Sequence, residues 1–136
     1  MRQTLQPPGW ARPKGFSNGI AVSGGTTVYI AGQIGWIGDG VWEAKDFGGQ
    51  FRQTLKNTLA VLAEAGGRPE HIVRMTWYVV DKQEYLAAIK EVGAAYRELI
   101  GKHFPAMAVV QVGALVEDLA RLEIETTAVI PRGGAS

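Results

Sequence analysis

The sequence contains no cysteine, which excludes disulfide bonds, thiolate catalysis and cysteine-ligated metal sites. It contains only two histidines, His71 and His103, and neither has a partner at the i+4 spacing of a helical metal site. The sequence therefore predicts a protein that uses neither a metal nor another cofactor.

Long apolar runs and a strong net charge are also missing. No apolar run approaches 18 residues, and residues 1–10 lack the apolar core of a signal peptide. The net charge of +1 gives no basis for a surface that binds nucleic acid or an anionic membrane. We expect a soluble, cytoplasmic protein that binds neither nucleic acid nor membrane.

The residues that are present have the composition of an ordinary globular protein. The hydrophobic fraction is 46% and the charged fraction is 20%, which is unlike a disordered chain. A chain of 136 residues is long enough for one core, and it shows neither a repeat nor a linker. We predict a single domain over residues 1–136.

Short apolar runs predict β-strands in the first third of the chain. Residues 1–18 should be extended and rich in turns because of their prolines. Residues 19–22 and 27–31 are joined by Ser23-Gly24-Gly25-Thr26, which predicts a β-hairpin. Gly32-Gln33-Ile34-Gly35 then interrupts the second strand. Glycines at a strand end let the backbone approach a ligand closely, although a plain bulge or turn gives the same pattern.

Two amphipathic helices are predicted further along the chain. Apolar residues at spacings of three and four predict the first helix from Phe47, with Asp46 as its N-cap and Gly66-Gly67 at its end. A second stripe of the same kind predicts a helix over residues 85–100, which Gly101 ends.

Residues 71–81 form the strongest strand pattern in the sequence. One face carries Val73, Met75, Trp77 and Val79, which suits a core beneath helices. The other face is mixed but apolar enough to suggest that a partner subunit covers it. A face with tyrosine and threonine in contact with water explains the same pattern.

Two more strands complete the predicted order of elements. One follows Pro105, which fixes its own φ and biases Phe104 towards an extended conformation, so that the preceding helix must stop. The other covers residues 121–130, where the side chains alternate in character. The order β-β-α-β-α-β-β predicts an α+β domain with two helices on one face of a mixed sheet.

Six short motifs occur along the chain in the order and at the spacing of a known family. Each is weak by itself, but the set is specific and covers nearly the whole chain. The motifs are Gly15-Phe16-Ser17-Asn18-Gly19, Ala31-Gly32-Gln33-Ile34, Ala63-Glu64-Ala65-Gly66-Gly67, His71-Ile72-Val73-Arg74-Met75-Thr76, Phe104-Pro105-Ala106 and Leu122-Glu123-Ile124-Glu125. With this set the sequence resembles the Rid (YjgF) family of enamine/imine deaminases. The resemblance implies a chorismate-mutase-like fold, a homotrimer whose sheets form a central barrel, and a small-molecule ligand in the clefts between subunits.

The sequence departs from the family pattern at the residue that would determine which ligand binds. In active members an arginine follows the Phe-Pro-Ala motif and binds the carboxylate of a 2-aminoacrylate-type substrate. Met107 stands at that position here, and methionine offers neither a charge nor a hydrogen-bond donor. Loss of such a pair costs on the order of 2–5 kcal/mol of binding. We therefore expect that a simple 2-imino acid is not the natural substrate.

Other family positions are kept in part. Phe16 stands where tyrosine is common, and Val109 stands where many relatives have cysteine, so that only its backbone groups can bond a ligand. The family's asparagine on the second helix aligns near Gly93. On the strength of the resemblance, the predicted substrate-binding residues are Phe16, Gly32, Gln33, Ile34, Met107 and Val109.

Glu123 is the candidate catalytic residue. It matches a family glutamate that holds a water or polarises the substrate, and it shares a strand face with Glu125. A carboxylate in this position can serve general acid–base chemistry. In the alternative interpretation both carboxylates face solvent or pair with Arg121 or Arg74.

Three functions follow from these observations. The first is hydrolytic deamination of an enamine or imine that is not a simple 2-imino acid. Met107, Phe16 and Trp36 would suit a larger or more apolar substrate, for instance an intermediate of aromatic amine catabolism related to aminomuconate. The second is a non-catalytic trimeric module that binds or regulates through the same clefts. The third, a nuclease, ranks last because the sequence has no basic stripe with interleaved aromatics and no histidine pair for metal-free RNA cleavage.

Overall fold

The computed structural model describes residues 1–38 and 40–134, which contain six strands and three helices. Among these residues no helix is both long enough and apolar enough to cross a membrane. The elements are β1 (Arg2–Leu5), β2 (Gly19–Val22), β3 (Thr26–Gln33), α1 (Phe47–Glu64), β4 (Ile72–Val79), α2 (Lys82–Ala87), α3 (Ile89–Leu99), β5 (Ala106–Gln111) and β6 (Leu122–Ile130).

Four strands form a mixed sheet in the order β3-β6-β4-β5. Strand β6 is antiparallel to both β3 and β4, whereas β5 lies parallel to β4 at the edge of the sheet. A parallel pair needs a crossover connection, and α2 and α3 supply it. The helices pack on one face, while Tyr29, Arg74 and Glu125 are exposed on the other. The predicted α+β fold, with helices on one face of a mixed sheet, is therefore confirmed.

The hydrophobic core lies between the helices and the sheet. From α1, Phe51, Leu55 and Leu62 are fully buried against Met75 and Trp77 of β4. The rings of Phe51 and Trp77 meet edge to face, with centroids 4.9 Å apart. Each fully buried side chain of this size contributes roughly 1.5–3 kcal/mol, so the stripe on α1 holds the helix on the sheet.

Helix α1 begins and ends where the sequence predicts. The Asp46 carboxylate accepts a hydrogen bond from the Gly49 N–H at 3.1 Å, which satisfies one of the unpaired donors of the first turn. At the other end Gly66 adopts a φ of +79°, a left-handed conformation that glycine reaches without steric cost.

The predicted hairpin between residues 19–22 and 27–31 is wrong. Strand β2 pairs with β1 in a separate two-stranded sheet, and β3 pairs with β6. The segment expected to be only extended and turn-rich thus supplies the partner strand. Arg2 anchors it, since its guanidinium donates to the carbonyls of Glu70 and Ile72, the latter at 3.1 Å.

The second predicted helix is two helices. The Asp81 carboxylate caps α2 earlier than expected by accepting a hydrogen bond from the Gln83 N–H at 2.9 Å. Ala88, with φ −98° and ψ 12°, departs from helical geometry and separates α2 from α3. The predicted end is confirmed, because Gly101 adopts a φ of +90° after α3.

The predicted core face of β4 is correct for Met75, Trp77 and Val79 and wrong for Val73. The ladder between β4 and β6 shifts register between Ile72 and Arg74. Such a bulge moves the preceding side chain to the other face of the strand. Ile72 is therefore 1% exposed in the core, whereas Val73 is only half-buried.

Gln50 is a buried polar side chain that joins α1 to two loops. Its amide nitrogen donates to the carbonyls of Ala44 at 3.3 Å and Leu119 at 2.9 Å, and its amide oxygen accepts from the Arg121 N–H at 2.8 Å. We expect Gln50→Leu to lower the free energy of unfolding by about 2–4 kcal/mol, because buried backbone groups lose their partners. Urea denaturation measures this.

Gln53→Leu is the matched control, since among the described residues the Gln53 amide bonds only the nearby Asn57 side chain on the same helix. We expect it to change the free energy of unfolding by less than about 1 kcal/mol. Equal losses in the two variants would contradict the role given to the Gln50 hydrogen bonds.

Candidate active site

A cavity of about 600 Å³ opens between α3 and the β5 edge of the sheet, on the helix-covered face. This volume lies within the range of pockets that bind small molecules. Its lining combines apolar and aromatic side chains with two cations. The lining residues are Lys14, Gly15, Phe16, Trp77, Tyr85, Ile89, Val92, Gly93, Tyr96, Arg97, Phe104, Met107 and Val109.

Phe16 reaches this cavity because the chain beside it is bonded to the turn before β5. The Ser17 N–H donates to the Pro105 carbonyl at 3.0 Å, and the Ser17 hydroxyl donates to the Phe104 carbonyl at 2.5 Å. Ser17 also forms an isolated parallel bridge with Ala106. The Phe16 side chain is 39% exposed and stands at the mouth of the cavity.

Stacked aromatic rings form one wall. The rings of Tyr96 and Phe104 are nearly parallel, at 9°, with centroids 6.4 Å apart. The Tyr96 hydroxyl donates to the His103 carbonyl, which holds the turn before Pro105 in place. Burial raises the pKa of Tyr96 and of Tyr85, which favours the protonated hydroxyl that both tyrosines already carry at neutral pH.

Met107 and Val109 come from β5 and point to the same side of the sheet as the core. Met107 lies opposite Met75 in the parallel ladder, and Val109 lies opposite Trp77. Met107 is half-buried and packs against the core, whereas Val109 is 38% exposed. The structure therefore brings three of the predicted site residues, Phe16, Met107 and Val109, to one cavity.

Gly32 and Glu123 lie together, but on the opposite face of the sheet. Glu123 is paired with Tyr78 across the β4–β6 ladder, while its neighbours Leu122 and Ile124 are fully buried on the helix side. A Cβ atom on Gly32 would overlap the Glu123 carboxylate. The absence of a side chain at Gly32 thus provides the space that the Glu123 carboxylate occupies.

The second carboxylate on that face has a different partner from the ones considered in the sequence analysis. The Tyr78 hydroxyl donates to Glu125 at 2.6 Å, and this hydrogen bond raises the pKa of Tyr78. Arg121 is paired with Glu84 instead, with its Nε at 2.9 Å from the carboxylate. The proposed pairing of Glu123 or Glu125 with Arg121 is therefore absent from the chain as described.

The remaining predicted residues shape the loop after β3. The Gln33 side chain donates to the Ala31 carbonyl at 3.0 Å, and Ile34 is buried with its carbonyl bonded to the Asn57 amide at 2.8 Å. Trp36 packs on Trp42, with ring centroids 6.0 Å apart. None of the three lines the cavity that contains Met107.

Sequence reasoning missed Arg97 and Tyr85 as cavity residues, and it did not consider Lys14. One feature of the sequence could have indicated Arg97. It lies one helical turn after Gly93, on the same side of α3. Over the described ranges no group of three or more histidine, aspartate and glutamate side chains could hold a metal ion.

The α+β fold is the one that the resemblance to the Rid family implies, and the comparisons with known proteins agree. The family model described as Endoribonuclease L-PSP matches residues 11–130. The chain is 34% identical over 110 residues to a RutC family protein of Haemophilus influenzae, covering 80% of this chain and 83% of that protein. It is 33% identical over 108 residues to the 2-iminobutanoate/2-iminopropanoate deaminase of Salmonella typhimurium, covering 77% and 80%.

A solved structure gives the same result. The Rid-family protein YyfB of Yersinia pestis, described as of unknown function, superposes with a TM-score of 0.80 at 34% identity, covering 94% of this chain and 98% of that one. The chain belongs to the Rid (YjgF) family, the family described as Endoribonuclease L-PSP. Its deaminase-named relatives support a function of the reactive-intermediate-deaminase kind.

Proposed function

We propose that the protein hydrolyses an enamine or imine that is not a simple 2-imino acid, in a cleft formed between copies of the chain. One observation carries the proposal: the cavity with Met107 and the Glu123 carboxylate lie on opposite faces of one sheet. A deaminase needs an enclosed substrate and an acid–base group beside it. Within one chain the sheet separates the two, so a second copy must bring its Glu123 to the cavity.

The exposed sheet face supports assembly. Tyr29 is 81% exposed and Val110 is 41% exposed on strands of this sheet. Apolar surface of this kind in a small protein favours contact with a partner subunit. In the proposed homotrimer the sheets face one another around a central axis, and each cleft joins the cavity of one copy to the Gly32–Glu123 pair of the next.

The proposed reaction consumes one water and releases ammonia. An enamine first takes a proton on carbon and gives up one from nitrogen, and so becomes an imine. Water then adds to the carbon of the C=N bond, and the resulting carbinolamine expels ammonia as the carbonyl forms. Glu123 would accept the proton from the attacking water and return it to the departing nitrogen. Gly32 would allow the carboxylate this position, because its lack of a side chain leaves room for it.

The proposed class of substrate follows from the absence of a positively charged side chain at position 107. The Salmonella relative is named for small 2-imino acids, whose carboxylate needs a cation close to the reacting carbon. Met107 provides none, while the cavity is large and lined by aromatic rings. A larger, more apolar enamine or imine, such as an intermediate of aromatic amine catabolism, suits this lining better.

A hydrolysis assay tests the proposal. Imines are generated in situ from a panel of amines and amino acids, and carbonyl release is followed with and without purified protein. We expect at least about tenfold acceleration for aromatic imines and little for 2-iminopropanoate. Light scattering should give the mass of three copies of the 14.7 kDa chain. A protein that accelerates no member of the panel is not a deaminase.

A second candidate is a trimeric module that binds its ligand without turnover. The replacement of the charged anchor by Met107 favours it, because no other cation lies deep in the cavity among the described lining residues. A ligand that binds the cavity and is recovered unchanged would support this candidate over the deaminase.

A further inference from the structure

We infer that Arg97 is the anion anchor of the cavity, so that the ligand is an aromatic or apolar molecule whose carboxylate lies at the mouth. This inference rests on the proposed function only in using the same cavity, for which it names the ligand class. The anchor at the mouth would take over the task that an arginine at position 107 performs in relatives.

The charged side chains that line the cavity are all positive. Lys14 and Arg97 line it, and its lining includes no aspartate or glutamate. Arg97 forms no ion pair within residues 1–38 and 40–134, whereas Arg52 of α1 is bonded to Glu98 of α3 at 2.6 Å. A guanidinium without a carboxylate, above a wall of aromatic rings, is suited to bidentate contact with the carboxylate of a ligand.

Gly93 leaves free space beside the Arg97 guanidinium. It lies one turn earlier on α3, and a Cβ atom there would be 3.4 Å from the Arg97 Nη1. The guanidinium therefore folds back over the glycine towards the cavity. A side chain longer than a methyl group at position 93 would compete with the guanidinium for this space.

The aromatic wall determines the rest of the ligand. Trp77, Tyr96 and Phe104 form an apolar surface in the same cavity as the half-buried Met107 and the exposed Arg97. A molecule of only a few heavy atoms would leave most of the roughly 600 Å³ unfilled. A ring or an extended apolar body joined to a carboxylate would contact both the wall and the guanidinium.

Calorimetric titration with three probes tests this inference. The probes are 3-phenylpropanoate, its neutral analogue 3-phenylpropanamide, and propanoate, which lacks the ring. We expect the wild-type protein to bind 3-phenylpropanoate at least about tenfold more tightly than either of the others. Arg97→Gln should remove most of the preference over the amide, and Arg97→Lys, which keeps the charge without the bidentate geometry, should keep part of it. Lys90→Gln is the control, because it removes one charge from the same helix outside the cavity lining.

A second variant addresses the glycine directly. We expect Gly93→Asn to weaken binding of 3-phenylpropanoate as Arg97→Gln does, and to leave binding of the amide unchanged. Circular dichroism confirms that each variant is folded. Equal binding of acid and amide by the wild-type protein, equal effects of Arg97→Gln and Lys90→Gln, or no binding of 3-phenylpropanoate at millimolar concentration would each overturn the inference. Because the readout is binding, Arg97-dependent binding without imine hydrolysis would contradict only the deaminase proposal.

Discussion

Replacing Met107 with arginine should raise kcat/KM for 2-iminopropanoate by about 100-fold. The arginine would offer two parallel N–H donors and a positive charge to the substrate carboxylate at the base of the cavity. A charge-assisted pair in such a site is worth on the order of 2–5 kcal/mol, and about 1.4 kcal/mol corresponds to a factor of ten. Hydrolysis of the imine generated from alanine, measured over a range of substrate concentrations, gives the comparison.

The site can accept the longer side chain. Met107 is half-buried and lines the cavity, and its unbranched side chain follows much of the path that an arginine would take. Met107→Leu is the matched control, since it keeps the position apolar, and it should give no gain in kcat/KM for the small substrate. A folded Met107→Arg protein with no gain would show that the missing cation is not what excludes small 2-imino acids.

Replacing Glu123 with glutamine should lower kcat for the best imine of the panel by about 100-fold and change ligand affinity little. The amide keeps the size of the side chain but cannot accept a proton, and a positioned acid–base group contributes roughly 10²–10⁴-fold to the rate. Single-turnover kinetics separates the chemical step from binding.

Glu125→Gln is the matched control for this experiment. Glu125 lies on the same face of β6 but is engaged by the Tyr78 hydroxyl, so its loss should reduce kcat by less than about threefold. Gly32→Ala should fall between the two variants, because the added methyl group would displace the Glu123 carboxylate without removing it. Similar rates for Glu123→Gln and Glu125→Gln would remove Glu123 from the mechanism.

Local sequence patterns predicted most elements of the fold. The α1 stripe, the Asp46 cap and the glycine that ends the helix depend on residues within a few positions of each other, and the structure contains all three. The alternation in β6 is confirmed in the same way, since Leu122 and Ile124 are fully buried and Glu125 is exposed. In these elements each residue's environment is set by its neighbours along the chain.

The errors concern partners that lie far apart in sequence. Residues 23–26 have the sequence of a hairpin turn, but β2 pairs with β1 and β3 pairs with β6. The bulge at Val73 depends on the ladder with β6, more than fifty residues later. The break at Ala88 divides a continuous apolar stripe that predicted a single helix. Pairing and register are decided by the sum of distant contacts, which a local pattern does not contain.

The site shows the same division. The sequence alone predicted the family through its motifs, and Met107 showed that the arginine expected at position 107 is missing. Only the tertiary structure decided that Met107 and Glu123 lie on opposite faces of one sheet and that Arg97 reaches the cavity in which Phe16 and Met107 meet. The physical reason is that strand pairing sets the face on which each side chain emerges, while helix packing sets which side chains meet across the resulting space.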